Sequence, residues 1–339
     1  MKTTYKLLLL IILNLIFSNS YSQSENLILG TWIKTDLKSN SKDVNEFTNF
    51  LKYTFKPSGK FYLSTSPKDL GIESDYNIEG KTLQLKFNTQ QILKLDKDSL
   101  IIQDSNKKGA LTTLYFIKED AYIKNTLTPN DFFLKDKDTI YFENALLSPT
   151  FKNKHYKNDH DFILHHVKHN TKDQEAYSYA TFIIDTTNQV SDINILHHIS
   201  KKYDQDVVEA IKKTNGMWSL PTINGKKVPV LKTWSMLYYK MPNVNGMGSK
   251  SNNVTVVTSK AEKFNKRYTL FFIEAVKQYL KTNYKSALNL FQRSENLTSD
   301  KLNAKIQIAN CYKSLHDNEA YNNIKTIIEK SQLDYVMDK

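Results

Sequence analysis

The chain has 339 residues, 40% of them hydrophobic and 24% charged, proportions that exclude wholesale disorder, collagen-like repeats and a polytopic membrane protein. At roughly 100 to 200 residues per domain this length implies two or three domains, and the single cysteine, Cys311, excludes an internal disulfide or a four-thiolate zinc site. The net charge of +12 is spread along the chain, and only Arg267 and Arg293 among its 47 basic residues are arginine. Nucleic-acid binding needs clustered charge and bidentate donors, so it is not expected.

Residues 1–22 have the form of a secretory leader. Lys2 and Lys6 precede an apolar run from Leu7 to Phe17, and Ser20-Tyr21-Ser22 offers small residues before a cut ahead of Gln23. The run is shorter than the roughly 20 residues a membrane-spanning helix needs. The expectation is a periplasmic or secreted protein with no integral membrane anchor after cleavage.

Residues 24–123 alternate with period two, the mark of half-buried strands. Leu51, Tyr53 and Phe55 lead into a turn at Pro57-Ser58-Gly59, and Phe61 and Leu63 return. Asp75–Ile78, Leu83-Leu85-Phe87, Leu93-Leu95, Leu100-Ile102 and Leu114-Phe116 follow, with turns at Glu79-Gly80-Lys81, Asp96-Lys97-Asp98 and Lys107-Lys108-Gly109. Repeated short antiparallel strands suggest a closed barrel. Gly30-Thr31-Trp32, the Phe55–Phe61 turn and Tyr76–Leu83 make this segment resemble the lipocalin-like domains of bacterial exported proteins. The resemblance implies a barrel closed at one end by Trp32, and an alternative function as carrier of a small apolar ligand. Read from the residues, the interior is either such a cavity or filled by its own side chains.

Residues 124–149 read as a connector, with a hairpin over Lys135 to Asp138. The 150–241 segment predicts a short amphipathic helix over Asp159–Asn170, strands at Tyr179–Ile184 and Val190–Leu196 around a turn at Thr186–Gln189, a helix over Asp204–Lys213 with Asp204 as N-cap, and a last strand at Val228–Tyr239 after a turn at Asn224-Gly225. The stretches FIIDTTNQVSDINIL (182–196), DQDVVEAIKKTNGMW (204–218) and LPTINGKKVPV (220–230) resemble the C-terminal domain of the TonB energy transducers. Thr222 and His197-His198 stand where that family more often has glycine and a basic residue with glycine.

That resemblance implies an α+β domain binding a short segment of an outer-membrane transporter, or another periplasmic protein, by strand addition. The edge expected to receive it is the last strand, with Leu231, Thr233, Trp234, Ser235, Leu237, Tyr238 and Tyr239 as peptide-binding residues; the same edge offers a route to a homodimer. An energy transducer also needs a membrane helix and a proline-rich spacer, and the chain holds only seven prolines.

Residues 242–258 are rich in Gly, Asn and Ser and read as a linker. Over 259–335 the pattern is helical, with Phe271, Phe272, Ala275, Tyr279, Tyr284, Ala287, Leu288 and Phe291 forming a helix pair broken at Thr282-Asn283. Ala309 follows Ala275 by 34 residues. This period resembles tetratricopeptide repeats, fewer than the three usually needed for independent stability, and implies either a peptide groove or a docking element.

No His-Glu-x-x-His, Gly-x-Ser-x-Gly, P-loop or dinucleotide fingerprint occurs. The histidines His155, His160, His165, His166 and His169 include one pair, His165 and His169, at metal-chelating helical spacing, but no carboxylate at matching spacing completes a site. Neither enzymatic activity, a metal nor a cofactor is expected. The whole reads as a multidomain, non-enzymatic interaction protein: an all-β lipocalin-like barrel, an α+β TonB C-terminal-like domain and all-α repeat-like helices.

Overall fold

A computed structural model describes residues 26–40, 50–86, 88–105, 111–168, 175–239, 266–298 and 301–330. The expected leader (1–22), linker (242–258) and turn at 107–109, with Phe87 and His169, lie outside them. The chain divides into two compact units, one of residues up to 127 with 222–226, the other of 128–221 with 227–339.

The first unit is an eight-stranded antiparallel closed barrel: β1 (Gly30–Ser39), β2 (Lys52–Phe55), β3 (Lys60–Ser64), β4 (Ile72–Glu79), β5 (Thr82–Leu85), β6 (Thr89–Leu95), β7 (Ser99–Ser105) and β8 (Leu111–Lys118). Each strand pairs with the next, and β8 returns to β1 with Ile33 opposite Ile117. Turns follow the sequence signals. Gly59 and Gly80 take positive φ, and the Asp96 carboxylate accepts from the amides of Asp98 and Ser99. Gly71 is dictated more strictly, because at φ +84° a Cβ there would lie 1.9 Å from the Leu63 carbonyl oxygen.

Alternation breaks where the register shifts, between Lys34 and Asp36 of β1 and again in β6. Leu93, expected in phase with Leu95, is 49% exposed, whereas Gln90 and Ile92 point inward. A register shift between Ile92 and Lys94 is the cause, since a bulge adds one residue and reverses the faces after it.

A cluster of apolar side chains packs inside the barrel. Tyr53 packs edge-on against Phe61 with centroids 4.9 Å apart, and against Phe116 at 4.8 Å; Trp32, Leu83, Leu100 and Ile102 are fully buried beside them. Trp32 is fixed in this core, its indole N–H donating to the Ile28 carbonyl at 2.6 Å while the Lys118 ammonium sits 3.7 Å above its ring. Lys118 also donates to the carbonyls of Leu29 and Leu27.

Burial pulls the Lys118 ammonium down to about 8, opposed by the Asp98 carboxylate. The folded state therefore holds fewer protons than the unfolded chain between about pH 8 and the ordinary lysine value near 10.5. Stability contributed by this group rises with pH across that window. Denaturant midpoints of wild-type and K118M, measured from pH 7.5 to 10, are expected to show the rise in wild-type only; parallel profiles would refute it.

After β8 come α1 (Glu119–Thr126) and, in the second unit, β9 (Phe132–Lys135) and β10 (Asp138–Phe142). They form the expected hairpin around Asp136, whose φ is 54°. The stretch read as a connector thus supplies two strands to the sheet of the second unit, because Phe133, Ile140 and Phe142 are apolar enough to be buried there. There follow β11 (Thr150–Phe151), α2 (Asp159–His166), β12 (Glu175–Ile184), β13 (Val190–His197), α3 (Lys201–Lys212), β14 (Trp218–Ser219), β15 (Thr222–Ile223), β16 (Lys226–Lys227) and β17 (Val230–Tyr239). Asn224 and Gly225, both at positive φ, make the two-residue turn between β15 and β16.

The sheet order is β13-β12-β17-β10-β9, with β17 antiparallel to β12 and parallel to β10. One face packs on α2 and α3 through Phe162, Phe182, Val207, Ile211, Trp218 and Trp234. Helix α3 begins three residues before the expected start. Ser200, not Asp204, is its N-cap, accepting from the Tyr203 amide, and Asp204 is inside the helix, where it accepts from His198 Nδ1 at 2.8 Å.

The C-terminal helical region consists, among the described residues, of α4 (Lys266–Leu280), α5 (Tyr284–Glu295), α6 (Leu302–Ser314) and α7 (Asn318–Lys330). Thr282 and His316, at positive φ, turn the chain between the paired helices. Ala275 and Ala309, at the expected period, are both fully buried. These helices are not a body apart: Tyr268 and Phe272 of α4 pack on Tyr177 and Tyr179 of β12, so the second unit has helices on both faces of its sheet. Two helix pairs are fewer than the three repeats usually needed to close a core alone, and the aromatic face of β12 supplies what they lack. Cys311 lies in that core, fully buried, its thiol pushed up to about 12 by burial, which makes it a packing residue.

Candidate strand-addition edge

β17 is paired along its whole length on one side, from Glu175 opposite Tyr239 to Ile184 opposite Val230. On the other side β10 reaches only Val230 and Leu231, after which the Glu143 amide donates to the Leu231 carbonyl at 3.1 Å and the chain leaves the sheet. Among the described residues no strand pairs with this side of β17 beyond Leu231.

Backbone groups on that open side follow from the same bonds. The carbonyls of Pro229 and Leu231 point to β10, and strand alternation then places the N–H and C=O of Thr233, Ser235 and Leu237 outward, with Lys232, Trp234 and Met236 bonded toward β12. Side chains alternate too. Val230, Trp234 and Met236 enter the α2–α3 core, whereas Leu231 and Leu237 pack on the opposite face.

The seven residues expected to bind peptide therefore separate. Leu231 is 4% exposed and already has its outward carbonyl occupied. Trp234 is 2% exposed, with the His160 ring stacked 5.8 Å from it, so it is a core residue and not a selector. Thr233 and Leu237 are half-buried and Ser235 is exposed, the three positions whose backbone is open. Tyr238 and Tyr239 belong to the strand, but their side chains lie outside the described residues.

A buried charge group holds the start of β17. Lys232 Nζ lies 2.9 Å from Glu143 Oε1 and 3.2 Å from Asp159 Oδ2, and 5.6 Å from the centre of the Trp218 ring. Its side chain is only 9% exposed. The pair joins β17 to the end of β10 and the first turn of α2, where acidic residues also suit the helix dipole.

The opposite edge of the sheet is managed differently. At the end of β13 and the residue after it, Gln307 Nε2 donates to the Leu196 carbonyl at 3.0 Å, Asn303 Nδ2 donates to the His198 carbonyl at 3.1 Å, and Asn303 Oδ1 accepts from the His198 amide at 2.8 Å. Two buried amides of α6 thus take the place of a neighbouring strand. Sequence reading passed over both; the available signal was two amide side chains on the buried side of an otherwise apolar helix.

Among the described histidines His165 and His166 lie side by side, their rings 5.3 Å apart. His166 Nδ1 pairs with the Phe162 carbonyl at 2.8 Å, His165 lies beside Tyr156, and His160 covers Trp234. Among the described residues no three His, Cys, Asp or Glu side chains are grouped to hold a metal ion, and no helix is long and apolar enough to cross a membrane. No family model and no curated protein matches this chain.

Proposed function

We propose that the chain is an exported, non-enzymatic interaction protein that binds an extended peptide by strand addition to β17, the peptide being a segment of an outer-membrane transporter or another periplasmic protein. One observation carries the reading: β17 loses its strand neighbour after Leu231 while its other side stays fully paired. A peptide lying collinear with β10 would meet the outward N–H and C=O groups of Thr233, Ser235 and Leu237. The likeness of 182–230 to the TonB C-terminal domain supplies the class of partner, and the leader-like residues 1–22 the compartment. The buried aromatic cluster inside the barrel does not favour the carrier alternative.

Backbone parity makes the test sharp. Proline is tolerated where the missing N–H faces away from the ladder, so S235P removes an outward donor and keeps every backbone bond to β12, losing only the hydroxyl contact of Ser235 with Tyr177. Calorimetric titration of the full chain against peptides from the N-terminal segments of outer-membrane transporters is expected to show saturable binding that S235P reduces about tenfold or more, with the far-ultraviolet circular dichroism unchanged. If no peptide binds the folded wild-type chain, the reading is wrong.

A further inference from the structure

At the opposite end of β17 the sheet contains a vacant strand position. β10 begins at Asp138, three residues before the register point of Tyr141 with Val230. β17 cannot extend back alongside it, because the Val228 amide turns away to the Pro221 carbonyl and residue 229 is proline. Tyr141 donates to the Pro229 carbonyl at 3.1 Å, so the backbone of Thr139, two residues earlier, faces the same gap. In a parallel ladder the donor to the Thr139 carbonyl would be the amide of residue 229, and proline has none.

The gap is a cavity of about 370 Å³, within the range of small-ligand sites. Ile140, Ile183 and Pro229 give it apolar walls, and Asp136, Asp138, Asp185 and Asp192 surround it. Lys135 of β9 forms an ion pair with Asp192 of β13, joining the two outermost strands so that the hairpin tips close around the cavity. Asp185 is committed to its own turn, accepting from Thr187 and Gln189. Asp136 and Asp138 remain at the lip, both exposed.

We propose that this gap captures the free amino terminus of an extended peptide, its α-ammonium held by Asp136 and Asp138 and its next backbone N–H donated to the Thr139 carbonyl. The carboxylates line the cavity without converging as a metal site would, which suits an ammonium carried on a chain. An extended backbone supplies the one donor that Pro229 withholds, and the isoleucines accept small apolar side chains. The site is independent of the open edge beyond Leu231.

The probe is tetra-alanine with a free amino terminus, titrated into the full chain by calorimetry alongside N-acetyl-tetra-alanine and butylamine. Saturable binding of the free peptide is expected, lost on acetylation, weakened about tenfold in D136N/D138N and unchanged in S235P. Asparagine accepts the positive φ of position 136, and thermal melts of the double variant are expected to match wild-type. Absence of saturable binding, equal binding of the acetylated peptide, or butylamine binding as tightly as the peptide would each overturn the assignment.

Discussion

Replacing Lys232 with alanine is expected to lower the stability of the second unit by about 3–5 kcal/mol, the cost of leaving a buried charge group without its counter-ion. The ammonium lies between Glu143 and Asp159, and neither carboxylate is well exposed: their side chains retain 20% and 18% of their surface. Removing the cation leaves two negative charges close together in a partly apolar surrounding that includes Trp218. The triple variant K232M/E143Q/D159N removes the charges together and is expected to recover most of the loss, since apolar or neutral replacement of a whole buried ion group is often near neutral. Urea denaturation of the three proteins checks both statements. A K232A loss below about 1 kcal/mol, the scale of a surface pair, would mean that water reaches the group.

Trp32→Ala is expected to cost a further class of stability, about 3–5 kcal/mol of the barrel alone. The side chain is fully buried, so truncation leaves a cavity among Ile28, Phe116 and neighbouring core residues. Two polar groups also lose partners, the Ile28 carbonyl its indole donor and the Lys118 ammonium its ring. W32F should recover much of the packing while leaving the Ile28 carbonyl without that donor, a residual of about 1–3 kcal/mol. Because the chain forms two compact units, urea unfolding of W32A should move one transition and leave that of the second unit in place. A uniform shift of the whole curve would show that the units unfold together.

The barrel was legible because each of its signals is local. Period-two alternation, turn glycines at 59 and 80 and the Asp96 turn depend on residues adjacent in the chain. The one error of phase, at Leu93, came from a bulge that no alternation rule contains. The hairpin turns at Asp136 and Asn188 and the core stripe Val207–Ile211 of the second unit, and the Asn224-Gly225 turn of the first, were equally readable.

The candidate edge was half legible. Residues 228–239 announced a strand, but not its neighbours, and the parallel pairing with β10 joins segments about ninety residues apart. That pairing withdraws Leu231 from the open edge, and packing on α2 withdraws Trp234.

What the residues determined by themselves is the set of elements: strands and helices follow from hydrophobic period, caps and turn residues, all short-range properties of the chain. The tertiary structure alone decided which edges stay open. Edge pairing depends on what a distant segment brings alongside: the last residues of β10 for Val230 and Leu231, the amides Asn303 and Gln307 for β13, and the missing hydrogen of Pro229 for the gap beside Thr139. Apart from proline every residue carries the same backbone donor and acceptor, so its identity does not reveal whether its hydrogen bond is already taken.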